Sequence, residues 1–268
     1  MRDLAGFLVG FTILAAAFSL VERLFPAIRG LGLRRRGAGT DLVYWVAQPL
    51  VFKPISRACT VVAVVLLALS AGAKLDRASL EAWITQGNGP LGRLPVGAQA
   101  VLALLAADFV GYWCHRLFHG RGLWRFHAVH HSSEELTWLS SVRVHPVNEI
   151  TTGALHALVL VAMGFRVDVL AGVMPFFTLY AILLHANVPW SFGSLRYVIA
   201  SPTFHRWHHT AQEEGLDKNF AGLLPLWDLM FGTFYMPEGR VPVRFGVHGE
   251  RVPEGFWKQL AWPFQRGR

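Results

Sequence analysis

Residues 96–131 read VGAQAVLALLAADFVGYWCHRLFHGRGLWRFHAVHH, and this stretch decides the fold. Its apolar part, up to Trp113, carries a single charge, Asp108. At 1.5 Å per residue it reaches about 27 Å, close to the ~30 Å of a bilayer core. The run passes straight into His115-Arg-Leu-Phe-His119, whose i,i+4 spacing puts two imidazoles on one helical face. Past a Gly-Arg-Gly turn, His127-Ala-Val-His130-His131 places three more at i, i+3 and i+4. A membrane helix therefore ends in a histidine surface rather than in a plain polar loop.

The composition fits that reading. The chain has 268 residues, 53% apolar and only 16% charged, too little charge for an ordinary water-facing surface. The apolar content excludes disorder, and two cysteines, Cys59 and Cys114, cannot make a disulfide framework. Candidate spans are residues 4–21, 54–73, 96–113, 150–165 and 169–189, one or two of them marginal, so the expectation is an all-α membrane bundle of about four to five transmembrane helices. Segment 41–52 is too short to cross alone. Lys53-Pro54 is expected to end it, which leaves an interfacial or re-entrant helix.

The net charge of +8 suits nucleic acid or anionic lipid until the arginines are located. Arg29, Arg34, Arg35 and Arg36 fall between the first two spans with no acid before Asp41, which marks that loop as cytoplasmic. The positive charge thus belongs to a membrane face, and nucleic acid drops out. Arg2 and Asp3 cancel ahead of the first span, so the N-terminus is expected outside. A cleaved signal peptide would put the basic cluster before its apolar run, not after it. Counted from this anchor, the third span delivers His115 to the cytoplasm. The fourth and fifth form a hairpin, turning outside at 164–168, that returns the chain at His185, so every histidine window faces one compartment.

The third window, His205-Arg-Trp-His208-His209, repeats the spacing of the second. A single histidine is more often a packed or interfacial group than a ligand. Eight of the twelve in three patterned windows are costly unless protonation or a metal settles them. Neutral imidazole suits iron, zinc, copper and nickel, and eight ligands exceed the four of a tetrahedral zinc, so two metals are the economical reading. Zinc hydrolysis lacks its His-Glu-x-x-His signature, and no window contains a glutamate. Bis-histidine haem would need ligands facing one another at bilayer depth. The rival from another class is a non-catalytic metal-binding or metal-transport protein, which needs polar ligands deep in several spans; only Asp108 and His156 approach that.

The three windows, in the order His-x3-His, His-x2-His-His, His-x2-His-His, resemble the fatty acid hydroxylase/sterol desaturase superfamily of membrane di-iron oxygenases. Asp108-Phe-Val-Gly-Tyr-Trp, Leu123-Trp-Arg-Phe, His131-Ser-Ser-Glu, Arg143-Val-His-Pro146 and the run Asn219-Phe-Ala-Gly-Leu-Leu-Pro-Leu-Trp-Asp-Leu-Met-Phe-Gly-Thr233 resemble further signatures of it. The likeness covers about residues 100–236. It implies a cytoplasmic histidine-rich helical cap holding two Fe ions through His115, His119, His127, His130, His131, His205, His208 and His209. The family adds ligands between its second and third windows, for which His185 is preferred and His145 is held as a ligand or a support behind one. His156 and His248 are expected to be structural. The implied activity is O2-dependent hydroxylation of a membrane-resident lipid, with desaturation as the alternative outcome.

Around the windows, Asp108 lies two helical turns before His115, on the same face, and is expected to hydrogen-bond a ligand imidazole. Arg143 and Glu149 flank His145-Pro146, where a local ion pair bracing the loop and a part in catalysis are equal expectations. Arg116, Arg121, Arg125 and Arg206 suit lipid phosphates or simply the positive face. Residues 223–235, with Trp227, Phe231, Phe234 and Tyr235, suit an interfacial element. Cys114 points about 100° away from His115 and is not expected to ligate. No flavin, nicotinamide, haem or iron–sulfur motif is present, so the electrons would come from a separate donor protein, suited by charge to the basic face. The expected organisation is an N-terminal membrane region over 1–95, a catalytic region over 96–240 and a tail over 241–268, in a bacterial inner membrane or an ER membrane.

Overall fold

In the computed structural model, residues 2–32, 34–87, 89–120 and 122–265 are described. Arg121 lies outside the described residues, as do the side chains of Arg2 and Asp3. The chain order is α1 (Arg2–Leu24), α2 (Ala38–Ala47), α3 (Lys53–Ser70), α4 (Arg77–Thr85), α5 (Gly89–Gly92), α6 (Val96–Phe118), α7 (Trp124–His131), α8 (Pro146–Ala162), α9 (Val167–His185), α10 (Pro202–His208), α11 (Leu226–Met230) and α12 (Phe256–Ala261). Among the described residues there is no strand, only one antiparallel bridge between Thr210 and Phe245.

Four helical stretches are long and apolar enough to cross a membrane: Ala5–Leu24, Ala38–Ser70, Val96–Phe118 and Val167–His185. The total meets the expectation, but its membership does not. Pro54 does not end the segment that begins near Asp41. A π turn over Gln48–Phe52 joins α2 to α3 in one 33-residue helix. Pro49 and Pro54 lack the N–H that a regular turn would use, and the wider i→i+5 turn, closed by Lys53 N–H on Gln48 O, carries the backbone past them. The segment foreseen at 150–165 is also changed. It is α8, 17 residues capped by His145, reaching about 26 Å and standing outside the four long spans.

In lipid, no hydrophobic force draws helices together, so close approach of small residues must do it. Ala103 and Ala107 on α6 and Ala68 on α3 are buried, and a Cβ on Gly153 of α8 would stand 2.8 Å from Ser56 Oγ of α3. Around them Val64, Leu160, Val161, Phe165, Val169 and Leu170 form the membrane core. The outward faces carry exposed Leu8, Val9, Ile13, Val61, Val62, Leu66, Val101 and Leu179, a surface that water would not tolerate and lipid satisfies.

Above this bundle, α7, a 3-10 turn over Trp138–Val142, α10 and the loop 219–235 form the cap. The region before α3 braces it. Trp45 Nε1 donates to Leu139 O at 2.9 Å, and Gln48 Nε2 donates to Val142 O and Val144 O at 3.2 and 3.1 Å. Asp41, fully buried, accepts from Arg143 and from Arg35. Arg143 therefore does not pair with Glu149. Its other donors reach Ser132 Oγ and Gly37 O, and this loop is fixed from α2 rather than from α8.

Candidate metal centre

Helix α6 brings His115 and His119 to one face, α7 brings His127, His130 and His131, α9 ends on His185, and α10 supplies His205 and His208, with His209 as its cap residue. These nine converge as two groups. His115, His119, His127, His131 and His208 form one; His130, His185, His205 and His209 form the other. Within each group the ligand-capable atoms lie within 4.8 Å of one another. Neighbours in sequence part company: His130 and His131 serve different groups, as do His208 and His209, because adjacent helical side chains diverge by about 100°.

The outer nitrogens show what the inner ones are for. Nδ1 of His115 meets Phe220 O at 2.8 Å, that of His127 meets Asn148 Oδ1 at 2.7 Å, that of His130 meets Arg143 O at 3.1 Å, and that of His185 meets Ala181 O at 2.7 Å. An oxygen acceptor places the proton on Nδ1 and leaves a lone pair on Nε2. Yet Nε2 of His115 faces Nε2 of His127 at 3.1 Å, and Nε2 of His130 faces that of His185 at 3.2 Å. Two lone pairs at that distance repel unless a cation sits between them. Nε2 of His119, His131 and His208 is buried with no hydrogen-bond partner. The donor set thus fits two cations bound through imidazole.

Electrostatics agree. Burial pushes His127, His130, His131, His205, His208 and His209 well below the usual 6.5, with neighbouring imidazoles adding to it. His119 is lowered by burial too, but the Asp217 carboxylate on its Nδ1 at 2.9 Å opposes the shift. All seven are held neutral near pH 7, the form that binds metal.

His145 does not join either group. Its Nδ1 caps α8 by accepting from Val147 N–H, and its Nε2 faces Leu260 O at 3.2 Å, because the turn at Pro146 aims the ring away from the clusters. His156 lies between Thr152 O and Ala107 O, and His248 is exposed beside Ala211 O. Asp108 is buried but touches no imidazole. It accepts from the backbone of Leu223 and Leu224 and from Trp227 Nε1. Asp228 likewise accepts from Phe220 N, Ala221 N and Thr233 Oγ1. Together they pin the loop that sets Phe220 O against His115 and brings Phe220 and Gly222 to the chamber beside the histidines, while Leu226, Leu229 and Met230 point outward.

Arg206 is not available to lipid phosphate. It is fully buried, donates to Leu136 O and stacks 4.5 Å over Phe245. Burial lowers its pKa to about 10, which still leaves it charged. Arg116 donates to Tyr112 Oη and Arg125 to Pro263 O. Asp217 and Asn148, which orient two of the imidazoles, were not singled out from sequence. Asn148 stands three residues after His145, and Asp217 eight after His209; only the positive φ of 54° at Asp217 marks the latter, and that is a property of the fold.

A cavity of about 340 Å³ opens beneath both groups, lined by His115, His127, His130, His185 and His205 and otherwise mostly by apolar side chains such as Phe177, Leu184 and Phe220. Fold and site define a membrane-embedded helical protein with two histidine clusters that could each hold a metal ion, beside an apolar chamber. The chain belongs to the fatty acid hydroxylase family, whose model matches residues 100–233.

Among similar proteins is the ornithine lipid hydroxylase OlsE of Rhizobium tropici, 35% identical over 173 residues, covering 64% of this chain and 52% of that one. Alkylglycerol monooxygenases of Danio rerio and Homo sapiens are each 34% identical, over 134 and 133 residues, covering 50% and 49% of this chain and 30% and 29% of theirs. The chain thus spans about half the length, or less, of these relatives. No solved structure matches it.

Proposed function

We propose that this protein is an O2-dependent lipid C–H hydroxylase using two irons held by the nine clustered histidines. The observation that carries the reading is the facing of Nε2 lone pairs at 3.1 and 3.2 Å above an apolar cavity. Two reduced irons would supply activation of O2. The balance is R–H + O2 + 2 electrons + 2 protons giving R–OH + H2O. The electrons are assigned to a separate donor protein docking on the arginine-bearing face, which we place in the cytoplasm.

The chain's own residues hold the imidazoles neutral and oriented. Phe220 O, Asn148, Arg143 O and Ala181 O fix the Nδ1 protons of His115, His127, His130 and His185, so the inner lone pairs of these four are available without a rearrangement at binding. Phe118, Phe177 and Leu184 keep bulk water from the chamber and offer an apolar seat for an alkyl segment. Hydroxylation is preferred to desaturation because the first two relatives are named a hydroxylase and a monooxygenase.

The test is aerobic incubation of reduced, iron-loaded protein with membrane lipids, a reductase and labelled O2. A lipid that gains one labelled oxygen supports the reading. Loss of two hydrogens assigns desaturation instead, and no O2 consumption with any lipid class contradicts both.

A further inference from the structure

A cavity of about 380 Å³ lies where α1 ends, between its last turns, the loop 26–32 and the turn Trp138–Val142. It shares no lining residue with the chamber beneath the histidines. Ser19, Glu22 and Arg23 enter it from one face of α1, at i, i+3 and i+4, and Arg29 enters from the loop. Asn187 holds that loop in place. Its Oδ1 accepts from Ile28 N–H at 3.0 Å, its Nδ2 donates to Ile28 O at 2.8 Å, and its backbone O accepts from Ala27 N–H at 3.0 Å.

Three donors in this cavity have no use inside the chain. Neither the Arg23 nor the Arg29 guanidinium has a hydrogen-bond or ion-pair partner among the described residues, and Ser19 Oγ is buried without one. A buried hydroxyl in that condition costs stability unless something outside the chain satisfies it. The acids nearby are already committed. Glu22 accepts from Trp138 N–H and Asn187 N–H at 2.8 and 2.7 Å and faces the positive charges of Arg35 and Arg206, while Asp41 takes Arg35. Arg23 and Arg29 therefore stand as uncompensated positive charge at the mouth.

Two guanidinium groups and a hydroxyl are complementary to a phosphate, in charge and in hydrogen bonding. The location suits one carried by a lipid. The membrane-crossing stretch of α1 ends at Leu24, so Arg23 and Arg29 stand at headgroup level and Ser19 about 7.5 Å further in. Leu20, Leu24 and Phe25, next to them in the chain, are exposed and offer an apolar surface along which acyl chains can lie. We propose that this cavity is a phosphate-binding site apart from the metal centre, formed by Arg23, Arg29 and Ser19, and that a phospholipid headgroup of the arginine-bearing leaflet fills it.

Binding is read by native mass spectrometry of the metal-loaded protein with phosphatidylglycerol and with diacylglycerol of the same acyl chains, and by thermal unfolding in detergent with inorganic phosphate. Phosphatidylglycerol is expected to bind at least about tenfold more tightly than diacylglycerol. Arg23→Gln combined with Arg29→Gln, both at exposed positions, is expected to cut that preference to about twofold while diacylglycerol binding stays at the wild-type level, which certifies the variant's fold. Ser19→Ala is expected to lower the preference by about threefold; no change removes the hydroxyl from the site. Arg34→Gln takes a positive charge from the same loop without touching the cavity, and is expected to keep the preference within about twofold of the wild type. Lipid preference without a melting shift from inorganic phosphate assigns the site to a headgroup. A melting rise with inorganic phosphate that the double substitution abolishes, without lipid preference, keeps the phosphate site and overturns its lipid occupant. Neither response, or a preference that survives the double substitution, overturns the proposal. So does an equal loss in Arg34→Gln, which would show that net charge alone is read.

Discussion

The two histidine groups are built alike at their centres and differently behind. In the five-membered group, Nδ1 protons rest on Phe220 O, Lys218 O, Asn148 and Asp217, all supplied by the loop after α10 or by α8. In the four-membered group, His130 rests on Arg143 O, and Arg143 is held by Asp41 of α2, beyond the span matched by the family model. The first group is supported locally, with one exposed carboxylate on its rim. The second is buried throughout and depends on the N-terminal region. That region is thus part of the centre's framework as well as a membrane anchor.

The largest expected effect breaks one group and spares the other. His208→Ala should remove the metal of the five-membered group and His185→Ala that of the four-membered group, each lowering metal from two to one per chain and turnover by about 100-fold or more. Metal analysis with single-turnover assays checks this; loss of both metals from either variant would show that the groups are not independent.

Asp41→Asn comes next. It leaves the buried Arg35 and Arg143 guanidinium groups without their carboxylate, a change that costs on the order of 3–5 kcal/mol for a buried pair. Thermal unfolding in detergent should fall accordingly, and metal should leave the four-membered group first. Equal loss from both groups would contradict the asymmetry.

The pH dependence sharpens it further. Buried imidazoles stay neutral in the folded protein, whereas the unfolded chain takes up protons as pH falls through about 6.5. The metal-free protein is therefore unaffected above that pH and loses stability below it, by up to about 1.4 kcal/mol per pH unit for each such histidine. His119, whose shift Asp217 opposes, protonates before His209 on acidification, so the five-membered group should release metal at the higher pH. A pH titration of metal retention in wild-type and Asp217→Asn protein reads this.

Asp108→Asn has the smallest effect. The amide keeps one acceptor oxygen but turns its NH2 against the donors of the other, either Leu223 N–H or Leu224 N–H with Trp227 Nε1, about 1–3 kcal/mol, felt at His115 through the loop and little at His185. The measurement is relative iron affinity of the two groups; a change confined to the four-membered group would contradict the assignment of Asp108 to the loop.

The membrane class and the nine clustered histidines were legible because they are local: apolar runs of spanning length and imidazoles at i, i+3 and i+4 record themselves in spacing. His185 was legible because a returning helix must end at the same surface. What spacing cannot show is partnership at long range. Asp108 does lie on the face foreseen for it, but a loop 115 residues away takes its oxygens before any imidazole does. Arg143 finds Asp41, 102 residues away, rather than the nearby Glu149. Pro54 reads as a stop because a proline ends a regular α turn, and only the fold supplies a π turn that accommodates it.

The central claim is a two-metal iron centre with two separable sites. Its most direct test is iron quantification with Mössbauer spectroscopy on protein purified without chelator and loaded with labelled iron, in wild-type, His185→Ala and His208→Ala forms. The account predicts two irons per chain in the wild type, with two subspectra, and one iron with a different single subspectrum in each variant. One iron in the wild type, or only zinc held tightly, would contradict it.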